Sequence, residues 1–251
     1  MKKMEKIYRT LLEAKKKGEK LLAILLDPDK ISLEEVPDLM KQIRSAEVDL
    51  ILVGGSTVEL GLTEKLIERI KVLSRIPVIL FPGDYTQITE NADAILFLSL
   101  LSGRNPEYLI EQQLKAVPML EKCDFEIIPT GYILIDGGRE SAVQRVSETL
   151  PIPQNQIEKI VHTAKAAMYL GKQLIYLEAG SGAINSVDNE IIKQVSEQVQ
   201  IPIIVGGGIK NKTQLLEAYV NGADIVVIGT AFEKDHSVLH ELILKKDESF
   251  H

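Results

Sequence analysis

The residues with the clearest chemistry lie in Tyr176-Leu-Glu-Ala-Gly-Ser-Gly182. An apolar run, Leu174 to Leu177, ends there in a carboxylate and a small-residue turn. Two similar turns follow, Gly206-Gly-Gly208 and Gly229-Thr230, each closing an apolar run. Glycine lets backbone N–H groups come close to an anion, and a helix starting beyond the turn adds a favourable dipole. Three such turns after three consecutive strands point to a phosphate, with Glu178 and Tyr176 beside it. Two residues of separation put both side chains on one face of a strand. Glu178 is then either a hydrogen-bond acceptor or general base toward a hydroxyl, or a carboxylate paired to a lysine or arginine of the fold. Tyr176 is either a ligand contact or a core aromatic.

Asp27, at the end of the run Leu21 to Leu26, is the best metal candidate, and Ser56, after Leu50 to Val53, offers a hydroxyl beside it. A carboxylate, a hydroxyl and ligand phosphate oxygens suit Mg²⁺, which keeps waters and prefers hard oxygen donors. The alternative is that Asp27 and Asp29 only shape the turn Asp27-Pro-Asp-Lys30. The lone cysteine, Cys123, excludes an internal disulfide and a cysteine-based zinc site. His162, His236, His240 and His251 fall on helices or the tail and read as surface residues. Lys30 and Lys210 lie near strand ends but not in the apolar setting of a Schiff-base lysine.

The elements that must position these groups alternate regularly. Apolar runs at 21–26, 50–53, 77–81, 94–98, 125–128, 174–177, 202–205 and 225–228 read as strands buried on both faces. The fifth run, 125–128, continues irregularly through Pro129-Thr-Gly-Tyr132 to Ile135. Helical patterns separate the runs, among them 33–46, capped by Ser32 with Glu35 three residues on, 106–120, 156–170 and 235–245. Between Phe81 and Ala94 there is too little chain for a full crossover helix, so 84–92 is expected to be a short irregular segment. An open doubly wound sheet is the alternative. Eight strands ending in polar or glycine turns favour a TIM (β/α)₈ barrel with its third helix replaced by that segment, one domain over residues 1–251. Two echoes support repeated βα units: Ile76-Pro and Ile201-Pro open strands, and Ala92-Asp-Ala resembles Ala223-Asp-Ile.

A barrel gathers reactive groups at the C-terminal ends of its strands. Those ends supply Asp27, Asp29, Gly55, Ser56, Pro82, Asp84, Ser99, Thr130, Tyr132, Tyr176, Glu178, Gly207, Gly208, Gly229 and Thr230. The 251 residues carry 29 basic and 36 acidic side chains, a net charge of −7 that argues against nucleic acid. No apolar stretch is long enough to span a bilayer and no signal-peptide core opens the chain, so a cytoplasmic protein is expected.

At Leu26-Asp-Pro-Asp-Lys30, Val53-Gly-Gly-Ser56, Tyr176-Leu-Glu-Ala-Gly-Ser-Gly182, Val205-Gly-Gly-Gly-Ile209 and Ile228-Gly-Thr-Ala-Phe-Glu233 the chain resembles the geranylgeranylglyceryl phosphate synthases and the related bacterial heptaprenylglyceryl phosphate synthases. The form of the first motif is similar to the second of that family's two broad groups. The resemblance implies transfer of a polyprenyl group, geranylgeranyl favoured, from its diphosphate to the free primary hydroxyl of sn-glycerol 1-phosphate. It implies Mg²⁺ on Asp27 and Ser56. It implies glycerol phosphate on Tyr176, Leu177, Glu178, Ala179, Gly180, Ser181, Gly182, Gly207, Gly208, Gly229 and Thr230, with Glu178 and Tyr176 at the chemistry. Dimers or hexamers, and at most transient membrane contact, are further expectations. The prenyl chain needs an apolar groove, expected where the third helix is missing, near Tyr85, Phe97 and Tyr132. The rival readings are another phosphate-metabolite barrel enzyme, an isomerase or lyase, and a non-catalytic phosphate sensor.

Overall fold

The computed structural model describes residues 6–229. In chain order the elements are α1 (Lys6–Lys17), β1 (Leu21–Leu26), α2 (Val36–Ser45), β2 (Leu50–Val53), α3 (Leu62–Leu73), β3 (Val78–Leu80), β4 (Ala94–Leu100), α4 (Gln112–Leu120) and β5 (Glu126–Leu134). Then come α5 (Ala142–Ser147), α6 (Ile157–Tyr169), β6 (Leu174–Glu178), α7 (Asn189–Gln198), β7 (Ile203–Gly206), α8 (Lys212–Val220) and β8 (Ile225–Ile228). The eight strands are parallel and close into a barrel, with Leu21 of β1 registered on Ile225 of β8. The expected helix at 235–245 lies outside the described residues.

Alternation along each strand makes two cores. Ala23, Leu52, Ile79, Leu96, Tyr176 and Val227 point into the barrel, and their neighbours pack outward against the helices. α1 packs on the inner core at the N-terminal mouth through Tyr8 and Leu11. Its first N–H groups are satisfied by the buried Glu126 carboxylate, which accepts from Ile7 at 2.7 Å and Tyr8 at 3.0 Å.

The Ala-Asp echo has a structural cause. Asp93 and Asp224, each just before a strand, accept the first N–H of the preceding strand, from Val78 at 2.9 Å and Ile203 at 2.8 Å. Asp49, just before β2, accepts the second N–H of β1, from Leu22, at 2.9 Å. Each carboxylate fastens one strand start to the next and sets the barrel register.

Three segments differ from the sequence reading. Helix α2 starts at Val36 rather than 33, with Pro37 in its first turn, where a missing N–H costs nothing. Half of the expected capping box remains, because Glu35 accepts the Ser32 N–H at 3.2 Å. β5 runs as one regular strand to Leu134 instead of becoming irregular after Ile128. Pro129 is tolerated because it sits just before β6 begins, where its carbonyl accepts the Gln173 N–H at 2.7 Å. The 106–120 helix opens with a wide π-type turn, Glu107–Glu111, before α4. The segment after β3 is, as expected, no crossover helix: it holds one 3₁₀ turn, Tyr85–Gln87. Among the described residues no helix is long and apolar enough to cross a membrane.

Candidate active site

One cavity of about 630 Å³ opens at the C-terminal ends of the strands. Its inner wall is polar. Tyr176 and Glu178 reach it from β6, Gly207 and Gly208 from the turn after β7, and Ser181 and Gly182 from the turn after β6. Glu178 is buried, with its Oε1 accepting the Gly180 N–H at 2.7 Å. Burial pushes its pKa up to about 7, against weaker lowering by the Gly180 N–H and the Tyr176 hydroxyl. Among the described residues no lysine or arginine enters that balance, so the ion-paired alternative for Glu178 finds no partner there. The Tyr176 hydroxyl faces Glu178, close enough to affect its ionisation, but the geometry falls short of an ordinary hydrogen bond and the buried oxygen has no other protein partner. A buried hydroxyl left open beside a carboxylate is what a polar ligand would complete.

Gly207 makes this wall possible. Its φ is +80°, and a Cβ there would stand 2.4 Å from Glu178 Oε1 and 2.6 Å from the Gly180 nitrogen. Only glycine allows the β7 turn to lie against the end of β6. Below the carboxylate, Phe81 stacks on Tyr176 with centroids 5.1 Å apart, and Tyr132 is tilted against both. Burial raises the Tyr132 and Tyr176 phenols well above their ordinary values, so both stay protonated.

Asp27 and Ser56 line the same cavity from the ends of β1 and β2. Asp27 also shapes its turn: Oδ1 accepts the Asp29 N–H at 3.2 Å, and Oδ2 pairs with Lys30 Nζ at 2.9 Å. Asp29 is committed to structure, accepting the Glu59 N–H at 3.0 Å. Among the described residues no three acidic, histidine or cysteine side chains group as a metal cage. One carboxylate and one hydroxyl on a cavity wall are hard-oxygen donors. They fit Mg²⁺ arriving with a ligand's phosphates, and the half-exposed Lys30 ammonium, paired with Asp27, adds a cation at the same wall.

The other arm of the cavity is apolar and runs past the 3₁₀ turn. Tyr85, Ile88, Phe97, Ala116, Val143 and Val146 line it. Tyr85 and Phe97 place it beside the segment where the crossover helix is missing, whereas Tyr132 lines the cavity from the buried ring stack with Phe81 and Tyr176.

Several sequence candidates lie elsewhere. Leu177 and Ala179 point outward into the layer between strands and helices, and neither they nor Gly180 line the cavity. Thr130 is not a strand end, because β5 continues to Leu134; its hydroxyl bonds the Ile128 carbonyl at 2.9 Å. Ser99 is turned to the outer layer and accepts Lys172 Nζ at 2.7 Å. Gly229 borders the cavity, whereas Thr230 lies outside the described residues, as do His236, His240 and His251. His162 is exposed on α6. Phe81 and Gln87 were not singled out from the sequence. Phe81 is the last residue of an apolar run, and Gln87 is one amide in a polar segment; neither type nor spacing marks them.

Residues 14–246 match the sequence pattern of the PcrB family. The geranylgeranylglyceryl phosphate synthase of Zunongwangia profunda is 56% identical over 230 residues, covering 92% of this chain and 98% of that protein. The protein of the same name from Thermococcus kodakarensis is 41% identical over 230 residues, covering 91% and 90%. Among solved structures, the (S)-3-O-geranylgeranylglyceryl phosphate synthase of Thermoplasma acidophilum, in complex with its substrate sn-glycerol-1-phosphate, superposes with a TM-score of 0.88. It is 33% identical, over 94% of this chain and 96% of that one.

Proposed function

The chain belongs to the PcrB family and is a prenyltransferase of the geranylgeranylglyceryl phosphate synthase kind, and from that premise we propose that it joins a polyprenyl group to sn-glycerol 1-phosphate as an ether, with Mg²⁺ at Asp27 and Ser56. The observation that carries this reading is the single cavity with a carboxylate-bearing polar wall at one end and an apolar arm at the other. A polar acceptor and an isoprenoid donor would meet in it. The relative crystallised with sn-glycerol-1-phosphate supports the choice of acceptor.

In this reading the turns bearing Ser181, Gly182, Gly207 and Gly208 hold the acceptor's phosphate. Tyr176 and Glu178 take its free primary hydroxyl. With a pKa of about 7, Glu178 is ionised in a large fraction of molecules near neutrality and suited to receive a proton there. The hydroxyl oxygen forms a bond to the allylic C1 of the donor. The bond from C1 to the diphosphate oxygen breaks, its electron pair leaves with diphosphate, and the hydroxyl proton passes to Glu178. Bound Mg²⁺ would neutralise the charge growing on the leaving group. Phe81, Tyr132 and Tyr176 pack on one another at the floor of the cavity and would exclude water from the reacting carbon. The apolar arm holds the prenyl tail, each buried methylene contributing about 0.8 kcal/mol.

The test is incubation of purified protein with geranylgeranyl diphosphate and either glycerol phosphate enantiomer, with Mg²⁺ or EDTA. Ether product from sn-glycerol 1-phosphate alone, lost in EDTA, is expected. No product with donors of any length would overturn the reading and leave an isomerase or lyase acting on the phosphate pocket.

A further inference from the structure

Gln87 is buried on the 3₁₀ turn that stands in for the missing helix, with 3% of its surface exposed, and it does not line the cavity. Its amide grips one residue across the barrel rim through both of that residue's backbone polar groups. Gln87 Nε2 donates to the Gly55 carbonyl at 2.9 Å, and the Gly55 N–H donates to Gln87 Oε1 at 3.3 Å. Gly55 is the second of the two glycines between the end of β2 and Ser56. On its other side it lies directly on Asp27: a Cβ at Gly55 would stand 2.8 Å from Asp27 Oδ1. From above, Gly83 packs on the same turn, where a Cβ would lie 2.4 Å from the Gly55 carbonyl oxygen and 2.7 Å from that of Ser56. A short glycine turn has few contacts of its own to fix it. Here a buried side chain supplies two hydrogen bonds at one residue, next to the hydroxyl that faces the cavity.

The segment carrying Gln87 is also tied to the apolar arm. The Tyr85 N–H donates to Gln112 Oε1 at 3.0 Å, and Tyr85 and Ile88 line that arm on either side of Gln87. The short segment 85–88 therefore touches the tail region with two side chains and holds the head region with a third.

We propose that Gln87 is a positioning residue for the diphosphate end of the donor site: its amide fixes the Gly55–Ser56 turn so that the Ser56 hydroxyl and the Asp27 carboxylate face one volume. The assignment rests on the reading of Asp27 and Ser56 as the diphosphate end given above. It makes the segment that replaces a helix a working part of the head site as well as an opening for the tail.

Calorimetry on the full chain separates the two sites without turnover. The probes are inorganic pyrophosphate with Mg²⁺ for the donor end and sn-glycerol 1-phosphate for the acceptor end. Gln87→Met keeps the volume and removes both hydrogen bonds. Its pyrophosphate Kd should rise about tenfold, the scale of two lost buried hydrogen bonds, while its sn-glycerol 1-phosphate Kd stays within about twofold of wild type. In a Ser56→Ala background the same change should add less than about twofold, because the residue it positions is already gone. Equal loss of both affinities would make Gln87 a general structural residue and overturn the assignment. So would unchanged pyrophosphate binding in a folded variant, or a full tenfold effect without Ser56. If Gln87→Met does not fold, the isosteric Gln87→Glu, which keeps the acceptor and loses the donor, must show the same split at smaller size; no split overturns the assignment. Wild-type protein that binds sn-glycerol 1-phosphate but not pyrophosphate would remove the donor-site reading itself, and Gln87's role with it. That failure is seen before any variant is made.

Discussion

Replacing Glu178 by glutamine should make the protein more stable as it makes it inactive, and the gain should depend on pH. The folded-state pKa of Glu178 is raised from 4.5 to about 7, chiefly by burial. A carboxyl with a raised pKa holds its proton more tightly folded than unfolded, so its contribution is neutral below about pH 4.5. Stability is then lost as pH rises through the interval to about 7, and the full cost remains above it. At about 1.4 kcal/mol per pH unit, ionised Glu178 costs the fold about 3 kcal/mol at pH 8. Glutamine has the same shape, still accepts the Gly180 N–H, and never ionises. Denaturant unfolding of wild type and Glu178→Gln should coincide near pH 4 and differ by about 3 kcal/mol at pH 8, the variant being the more stable. A variant that is equally stable at both pH values, or weaker at pH 8, would refute a carboxylate strained by burial.

The same group governs rate. The kcat/KM for sn-glycerol 1-phosphate should climb as pH rises through about 7, and Glu178→Gln should lose about 10²–10⁴-fold and the pH dependence with it; a flat wild-type profile would remove Glu178 as the base. Gly207→Ala places a Cβ 2.4 Å from Glu178 Oε1 and forces a strained φ. It should cost about 1–3 kcal/mol in unfolding free energy and raise the Kd for sn-glycerol 1-phosphate, read by denaturation and calorimetry. Asp27→Asn should raise the Mg²⁺ concentration needed for half-maximal rate by at least about tenfold with the fold intact, seen by titrating metal against product formation. Ala116→Phe fills the apolar arm and should shift preference to shorter prenyl donors, measured as the ratio of kcat/KM for donors of two lengths.

Much of this was legible because barrel strands advertise themselves. Eight apolar runs and the glycine turns after them mark every strand, and the chain length between Phe81 and Ala94 is by itself too short for a crossover helix. Side-chain direction was legible where period two is strict, which is why Tyr176 and Glu178 share the cavity. The same rule sends Leu177 outward, so a motif seven residues long contributes only alternate side chains and its last turn. Strand ends were less legible. β5 outruns Ile128 by six residues to Leu134, because its pairing with β4 and β6 decides where a strand stops and Pro129 happens to fall at a harmless register. That displaced Thr130 from the rim and put Tyr132 nearer to it. Gln87 could not be read at all. Its importance comes from the proximity of the β2 and β3 turns, 32 residues apart in sequence, and no local pattern encodes it.

The central claim is that the acceptor's primary hydroxyl oxygen becomes the ether oxygen. It is tested most directly with sn-glycerol 1-phosphate carrying ¹⁸O in that hydroxyl and an unlabelled prenyl diphosphate. Mass spectrometry of a reaction run with Mg²⁺ should find the label wholly in the ether product and none in the released diphosphate. Unlabelled ether, label in the diphosphate, or diphosphate released with free prenyl alcohol and no ether would contradict attack by the hydroxyl that Glu178 and Tyr176 are placed to hold.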